Sequence, residues 1–384
     1  MATRGPRKVV IAITLFFFLL TLQAFIGHRY YDADTAVTSS GYPSDTSLNV
    51  TAAVKPHSPD ATADNESLRY IPHSTIQTWR ERDYLIVFGI PSIDIEARRR
   101  RRYLQRTTCW QFPGVARRAN NFTGAMLVLY VLARHPSHGY KHSAALLEEA
   151  DEYHDIITLP MNDALPTTNK TIGGAGHWGT EAGISMSRKT YFWFELALRV
   201  FPNVSYISKG DDDMFLRVPQ FLTDLNVLPL KNIYFGLPIG GSLLINNSIV
   251  GFRFASGMCY TLSRDVAEQF VAFEPLRRLV QLRYSKNRES EFFSLNMNAE
   301  DVMVARVLLV ELQYKPLVFA GVLPCRFHNI RNDTGHFMVN RNSVVVHHLR
   351  EDEYAMLMDR FGYIAAYTPK VQKLRKRQFL RFLC

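Results

Sequence analysis

Cysteine is scarce, with only Cys109, Cys259, Cys325 and Cys384 among 384 residues. That excludes a disulfide scaffold, and a soluble part of roughly 300 residues can build its own core without one. Three full pairings of the four are open, and spacing does not choose among them. Acids are also in deficit, 35 against 45 Lys and Arg, for a net charge of +10. Such a surplus suits anionic ligands. No internal repeat recurs and no composition shift marks a second folded domain.

A clean small-residue cleavage site is missing after the one apolar run at the N-terminus, Val9–Gly27. The run matches the ~20 residues that cross a bilayer, so it reads as an uncleaved anchor rather than a signal peptide. Arg4, Arg7 and Lys8 precede it, which puts residues 1–8 in the cytosol and the rest of the chain outside it. The expected organisation is a cytosolic tail (1–8), a transmembrane helix (9–27), a stem (28–78) and one luminal domain (79–384). The stem is assigned because Ser, Thr, Ala, Asp and Pro dominate up to Thr78 with little periodic hydrophobicity, too little to fold. Glycosylation sequons at Asn49, Asn65, Asn121, Asn169, Asn203, Asn246 and Asn332 agree with a luminal location. Asn203, next to a buried strand, is expected to be covered. With the basic residues on the luminal side, nucleic acid is excluded as a partner.

Strand and helix patterns alternate along the luminal part. Asp83–Pro91, Gly124–Ala133 and the segment after Tyr153 are apolar strand-like runs, and Ala144–Asp151 and Lys189–Val200 are helical. This order predicts an α/β domain with a mostly parallel central sheet. Ligands bind such sheets at the C-terminal edge of the strands.

Gly210-Asp211-Asp212-Asp213 stands at that edge, at the end of the strand-like run from Val204. Three adjacent carboxylates repel one another, and a divalent cation, Mn²⁺ or Mg²⁺, removes the repulsion and can hold a diphosphate. An Asp-rich turn or helix cap is the plainer reading. Glu300 and Asp301 open an apolar helix, where acids also suit the macrodipole. His347 and His348 end the strand Val344–His348; side chains alternate along a strand, so one of them can turn to a metal. The run Arg98–Arg102 reads as a solvated basic edge, with a donor or acceptor site as the other possibility. Ser256-Gly257 marks a close backbone approach.

Lys189 with its helix, Lys209–Leu216, Ala255–Asp265 and Glu300-Asp301-Val302 occur in an order that resembles the β1,3-glycosyltransferase superfamily, which uses UDP-galactose or UDP-N-acetylglucosamine. Leu104–Trp110 is most similar to the UDP-Gal or UDP-GlcNAc-dependent glycosyltransferases of trypanosomatids. The resemblance spans roughly residues 84–361. It implies a GT-A fold, Golgi residence and a glycan or glycoprotein acceptor. It also implies roles: Asp213 as metal ligand, with one of His347 and His348; Asp211 or Asp212 towards the donor's ribose or sugar; Lys189 and Arg106 near the nucleotide; Asp301 as base with Glu300 in support. Gly210, between Lys209 and the acids, is expected to move that lysine off the phosphates. The implied reaction is an inverting, metal-dependent transfer giving a β, in this superfamily β1,3, linkage. An inactive carbohydrate-binding or chaperone-like relative and a luminal phosphohydrolase are the competing readings. Donor sugar, acceptor and oligomeric state are not legible.

Overall fold

The computed structural model describes residues 66–384 except 175, 246–247, 332–337 and 375–377. These residues belong to one compact unit, 59–384. The anchor at 9–27 and the stem up to residue 65 lie outside them. Among the described residues no helix is long and apolar enough to cross a membrane.

The strands are β1 (Ile86–Pro91), β2 (Val115–Ala116), β3 (Met126–Arg134), β4 (Ile156–Asn162), β5 (Tyr206–Gly210), β6 (Met214–Leu216), β7 (Ile233–Ile245), β8 (Ser248–Ser263), β9 (Val318–Val322), β10 (Phe327–Asn329), β11 (Val345–His347), β12 (Val371–Leu374) and β13 (Phe379–Phe382). Ten of them form a mixed sheet in the order β12-β13-β9-β7-β8-β5-β1-β3-β2, with β4 on the outer edge of β3. Around the centre, β5, β1, β3 and β4 are parallel. β8 runs antiparallel between β5 and β7. The central sheet is therefore mixed, with parallel pairings in the majority. The segment from Phe254 belongs to the second arm of a long hairpin that runs directly into the helix Arg264–Ala272.

β1 is buried along its whole length because both faces are covered. Side chains alternate: Val87, Leu127 and Leu129 join one core with Trp193, and Phe88, Met126 and Val128 join the other with Trp110 and Phe221. The helix expected at Lys189–Val200 begins earlier, at Thr180.

The stem boundary is corrected. Residues 66–78 are folded onto the domain, with a helix over His73–Arg80. Leu68, Ile71, Thr75 and Trp79 are buried. Thr75 and Trp79, four apart, share one face of that helix, and Leu68 and Ile71 lie in the turn before it. The Trp79 ring meets Phe122 and Phe201 at 5.8 and 5.9 Å. The polar residues between the buried ones hide that pattern. Cys325 and Cys384 form a disulfide, while Cys109 and Cys259 are buried free thiols. Asn203 is exposed, contrary to expectation.

Candidate metal and transfer site

β5 delivers Asp211–Asp213 to the sheet's C-terminal edge. β6 follows at once and pairs antiparallel with β11, Met214 opposite His347. β10 lies on the other side of β11 with Asn329 opposite His347. This three-stranded sheet carries a histidine from far along the chain to the acids. Leu349 N donates to Asp213 O across 3.0 Å, which fixes the chain just past the pair.

His347 Nδ1 donates to Asn329 Oδ1 at 2.6 Å, a bond that sets the ring's orientation. Its Nε2 then lies 2.9 Å from Asp213 Oδ1 and 3.1 Å from Asp211 Oδ2. Burial pushes the His347 pKa down, but the two carboxylates outweigh it and raise it to about 9. Burial pushes the Asp213 carboxyl up, and His347 with Arg98 and His348 more than reverses this, holding it well below the usual range. The imidazolium supplies the positive charge that the acids need, and a divalent cation would displace its proton.

His348 leaves the strand at φ +63°, so strict alternation fails and the two rings stack at 4.1 Å between centroids. Ligand atoms of Asp213, His347 and His348 all lie within 4.8 Å of one another. His348 Nδ1 is buried without a hydrogen-bond partner, an expensive state unless something else takes its lone pair. Burial and the neighbouring His347 lower the His348 pKa to about 4, so that the lone pair is free. One carboxylate and two imidazoles form a donor set that fits Mn²⁺.

The triplet divides. The turn between β5 and β6 sends Asp211 and Asp213 to His347 and Asp212 away from it. Asp212 accepts from Ser92 Oγ at 2.7 Å and pairs with Arg98. It is buried and positions the turn rather than facing the open site. Asp211 stays partly exposed.

The arginine run is corrected too: it lies in a helix, Glu96–Thr107, whose buried face is Arg98, Arg101, Arg102, Gln105 and Arg106. Those are helical positions i, i+3, i+4, i+7 and i+8, an amphipathic pattern written in polar residues. Each finds a partner. Arg101 donates to Leu349 O at 2.8 Å, Arg102 to Glu149 at 2.6 and 2.8 Å, and Gln105 to Met214 O at 3.0 Å. This helix braces both the acids and the segment after the histidines.

Arg106 is not brought to the acids. Its guanidinium pairs with Glu149 and Asp155 at 2.6 and 2.8 Å and lies between the Tyr130 and Tyr153 rings. Lys189 is closer: Nζ donates to Ser92 O at 2.7 Å and Asp163 Oδ2 at 2.9 Å. It lines a cavity of about 220 Å³ with Ile93, Arg98, Asp163 and Trp178, beyond the ends of β1 and β4. Sequence reasoning missed Lys170, half-buried on the loop between β4 and the Thr180 helix, whose only signal was its glycine-rich setting.

Lys209 links the acids to the next helix. Nζ contacts Asp211 Oδ1 at 2.5 Å, Gly257 O at 2.6 Å and Glu300 Oε1 at 2.7 Å. Glu300 Oε2 accepts from Tyr260 OH at 2.8 Å. Burial lifts the Glu300 pKa to about 7 against the pull of Lys209. Asp301 accepts from Gly257 N at 2.9 Å, is raised by burial, and remains partly exposed. A Cβ on Gly257 would lie 2.7 Å from Glu300 Oε1, so only glycine permits this approach.

No protein-family model matches the chain, and no curated protein matches it. Among solved structures it is similar to a glycosyltransferase involved in the glycosylation of the major capsid of PBCV-1. There the identity is 10% and the TM-score 0.33, covering 72% of this chain and 98% of that one. Mouse xyloside xylosyltransferase 1, in its apo form, is similar at 12% identity and TM-score 0.33, covering 69% of this chain and 97% of that one. Likenesses this distant say nothing of donor, acceptor or mechanism.

Proposed function

We propose that the chain is an inverting, metal-dependent glycosyltransferase of the Golgi membrane, moving Gal or GlcNAc from a UDP-sugar to a hydroxyl of a glycan or glycoprotein acceptor and forming a β (β1,3) bond. The observation that carries this reading is the convergence of Asp213, His347 and His348 within 4.8 Å, with the partly exposed Asp301 held apart from them through Lys209 and Gly257. A metal-capable cluster beside a separate, accessible carboxylate is the pair of functions that sugar transfer from a nucleotide requires.

Asp213, His347 and His348 would hold the cation, with Asp211 beside it; bound there, it neutralises charge on the departing diphosphate. The cavity lined by Ile93, Asp163 and Trp178 suits the nucleoside. Asp301 removes the proton from the acceptor hydroxyl as that oxygen bonds to the anomeric carbon. The bond from that carbon to the β-phosphate oxygen breaks on the opposite face, so configuration inverts and the electron pair leaves with UDP. Asp301 is preferred to Glu300 as base because it is partly exposed and its oxygens accept only from the backbone N–H groups of Gly257 and Val302. Glu300 is buried and held by the Lys209 ammonium and Tyr260 OH. General-base assistance of this kind contributes about 10²–10⁴-fold.

The test is UDP release by the full-length protein with Mn²⁺, with UDP-Gal and UDP-GlcNAc offered separately over a panel of glycan acceptors. Acceptor-stimulated release with one donor, lost on chelation and in Asp213→Ala, supports the reading and names the sugar. Absence of any metal-dependent UDP binding overturns it in favour of a carbohydrate-binding shell.

A further inference from the structure

The cations expected near a diphosphate are not free to take one. Lys189 is held by Asp163 and Ser92 O, Arg106 by Glu149 and Asp155, Arg98 by Asp212 and Lys209 by Asp211 and Glu300. Lys170 differs from all four. Its ammonium makes no hydrogen bond or ion pair among the described residues, and it lies 4.8 Å from the Trp178 ring centroid, a weak hold for a half-buried charge.

The loop that carries it is built over the acids. Thr167 N donates to Trp178 O at 2.9 Å and closes the loop at its base, the form of a compact Ω-loop. At its tip Gly173 N donates to Asp213 Oδ2 at 3.1 Å. Gly173 has φ +75°, and a Cβ there would lie 2.6 Å from Leu349 O, so the tip is seated against the segment after the histidines. Asp211 and Asp213 are the acids whose charge reaches Lys170; burial with Arg98 and Lys209 opposes them.

Charge balance then identifies the ligand. With Lys209 taken up by Asp211 and Glu300, Asp213 offsets part of a divalent cation's charge. The remainder is smaller than the charge of a nucleoside diphosphate, so negative charge is left that the metal does not neutralise. We propose that Lys170 recognises the terminal phosphate of the nucleoside diphosphate, with Trp178 as the surface from which it reaches, and so makes the site selective for diphosphates over monophosphates. This rests on the donor reading under Proposed function. Lys170 acts on the phosphate directly, and the loop's contact with Asp213 ties its position to the metal site.

Calorimetric titration of the full-length protein with UDP and with UMP, each in Mn²⁺, tests it. Lys170→Ala is expected to weaken UDP binding by about tenfold or more, the loss of one charge-assisted contact, and to leave UMP binding within about twofold on the same scale. Lys170→Arg, which keeps the charge, is expected to retain the preference for UDP. Equal UDP affinity in wild type and Lys170→Ala overturns the assignment while leaving the donor reading intact. Equal weakening of UDP and UMP overturns the selectivity, since it reports damage to the whole pocket. If the wild type binds neither, the donor reading falls and Lys170's role with it.

Discussion

Lys209 Nζ lies 2.7 Å from Glu300 Oε1, a contact between residues 91 positions apart. Through its second partner, Asp211, the same ammonium ties the acids after β5 to the helix that begins at Glu300. Lys209 is thus tied to Asp211, the acid beside His347, and to Glu300. The consequence is a brace that sets the spacing between the acids and Asp301.

Replacing Lys209 by Met leaves Glu300 and Asp211 without their counter-ion in a buried setting. Removing one partner of a buried pair costs about 3–5 kcal/mol. Urea unfolding should show that loss as a lower midpoint, with partial recovery in Lys209→Met/Glu300→Gln. An unchanged midpoint means that the ion pair does not brace the site.

Asp301→Asn keeps the shape and the Gly257 N contact but cannot take a proton. Turnover is expected to fall by about 10²-fold or more while UDP affinity in Mn²⁺ stays near wild type. Lost UDP binding instead assigns Asp301 a structural role.

Burial raises the Glu300 pKa from 4.5 to about 7. A carboxyl raised in the folded state stabilises it most below the unfolded value, and that contribution is lost as pH rises through the folded one. Between pH 4.5 and 7, stability of the wild type should therefore fall relative to Glu300→Gln. Parallel stability–pH curves for the two proteins over that window contradict a raised Glu300.

The Cys325–Cys384 bridge closes 59 residues and ties the chain's last strand to the segment leading into β10. Cys384→Ser should destabilise by about 2–5 kcal/mol, as loss of such a crosslink usually does. Thermal unfolding with and without reductant measures it, and reductant should affect only the wild type.

Much of the α/β frame was legible because β1 and β3 are apolar runs buried on both faces, and burial of that kind is written in composition. The three acids were legible as a group at a strand's end, but which of them share a side was not, because they sit in the turn between β5 and β6, where strand alternation does not hold. The Arg98–Arg106 face was not: arginines at helical spacing look solvated until Asp212, Glu149, Asp155 and Leu349 O arrive from distant segments. Nor were His347 and His348 as a joint pair, because the positive φ of His348 suspends the alternation that separates neighbours. Local pattern determined which residues form strands and where the acids end one. Only tertiary register, Met214 opposite His347 and Gly257 against Glu300, decided which of the charged groups meet, because an ion pair is set by distance in space and not by position along the chain.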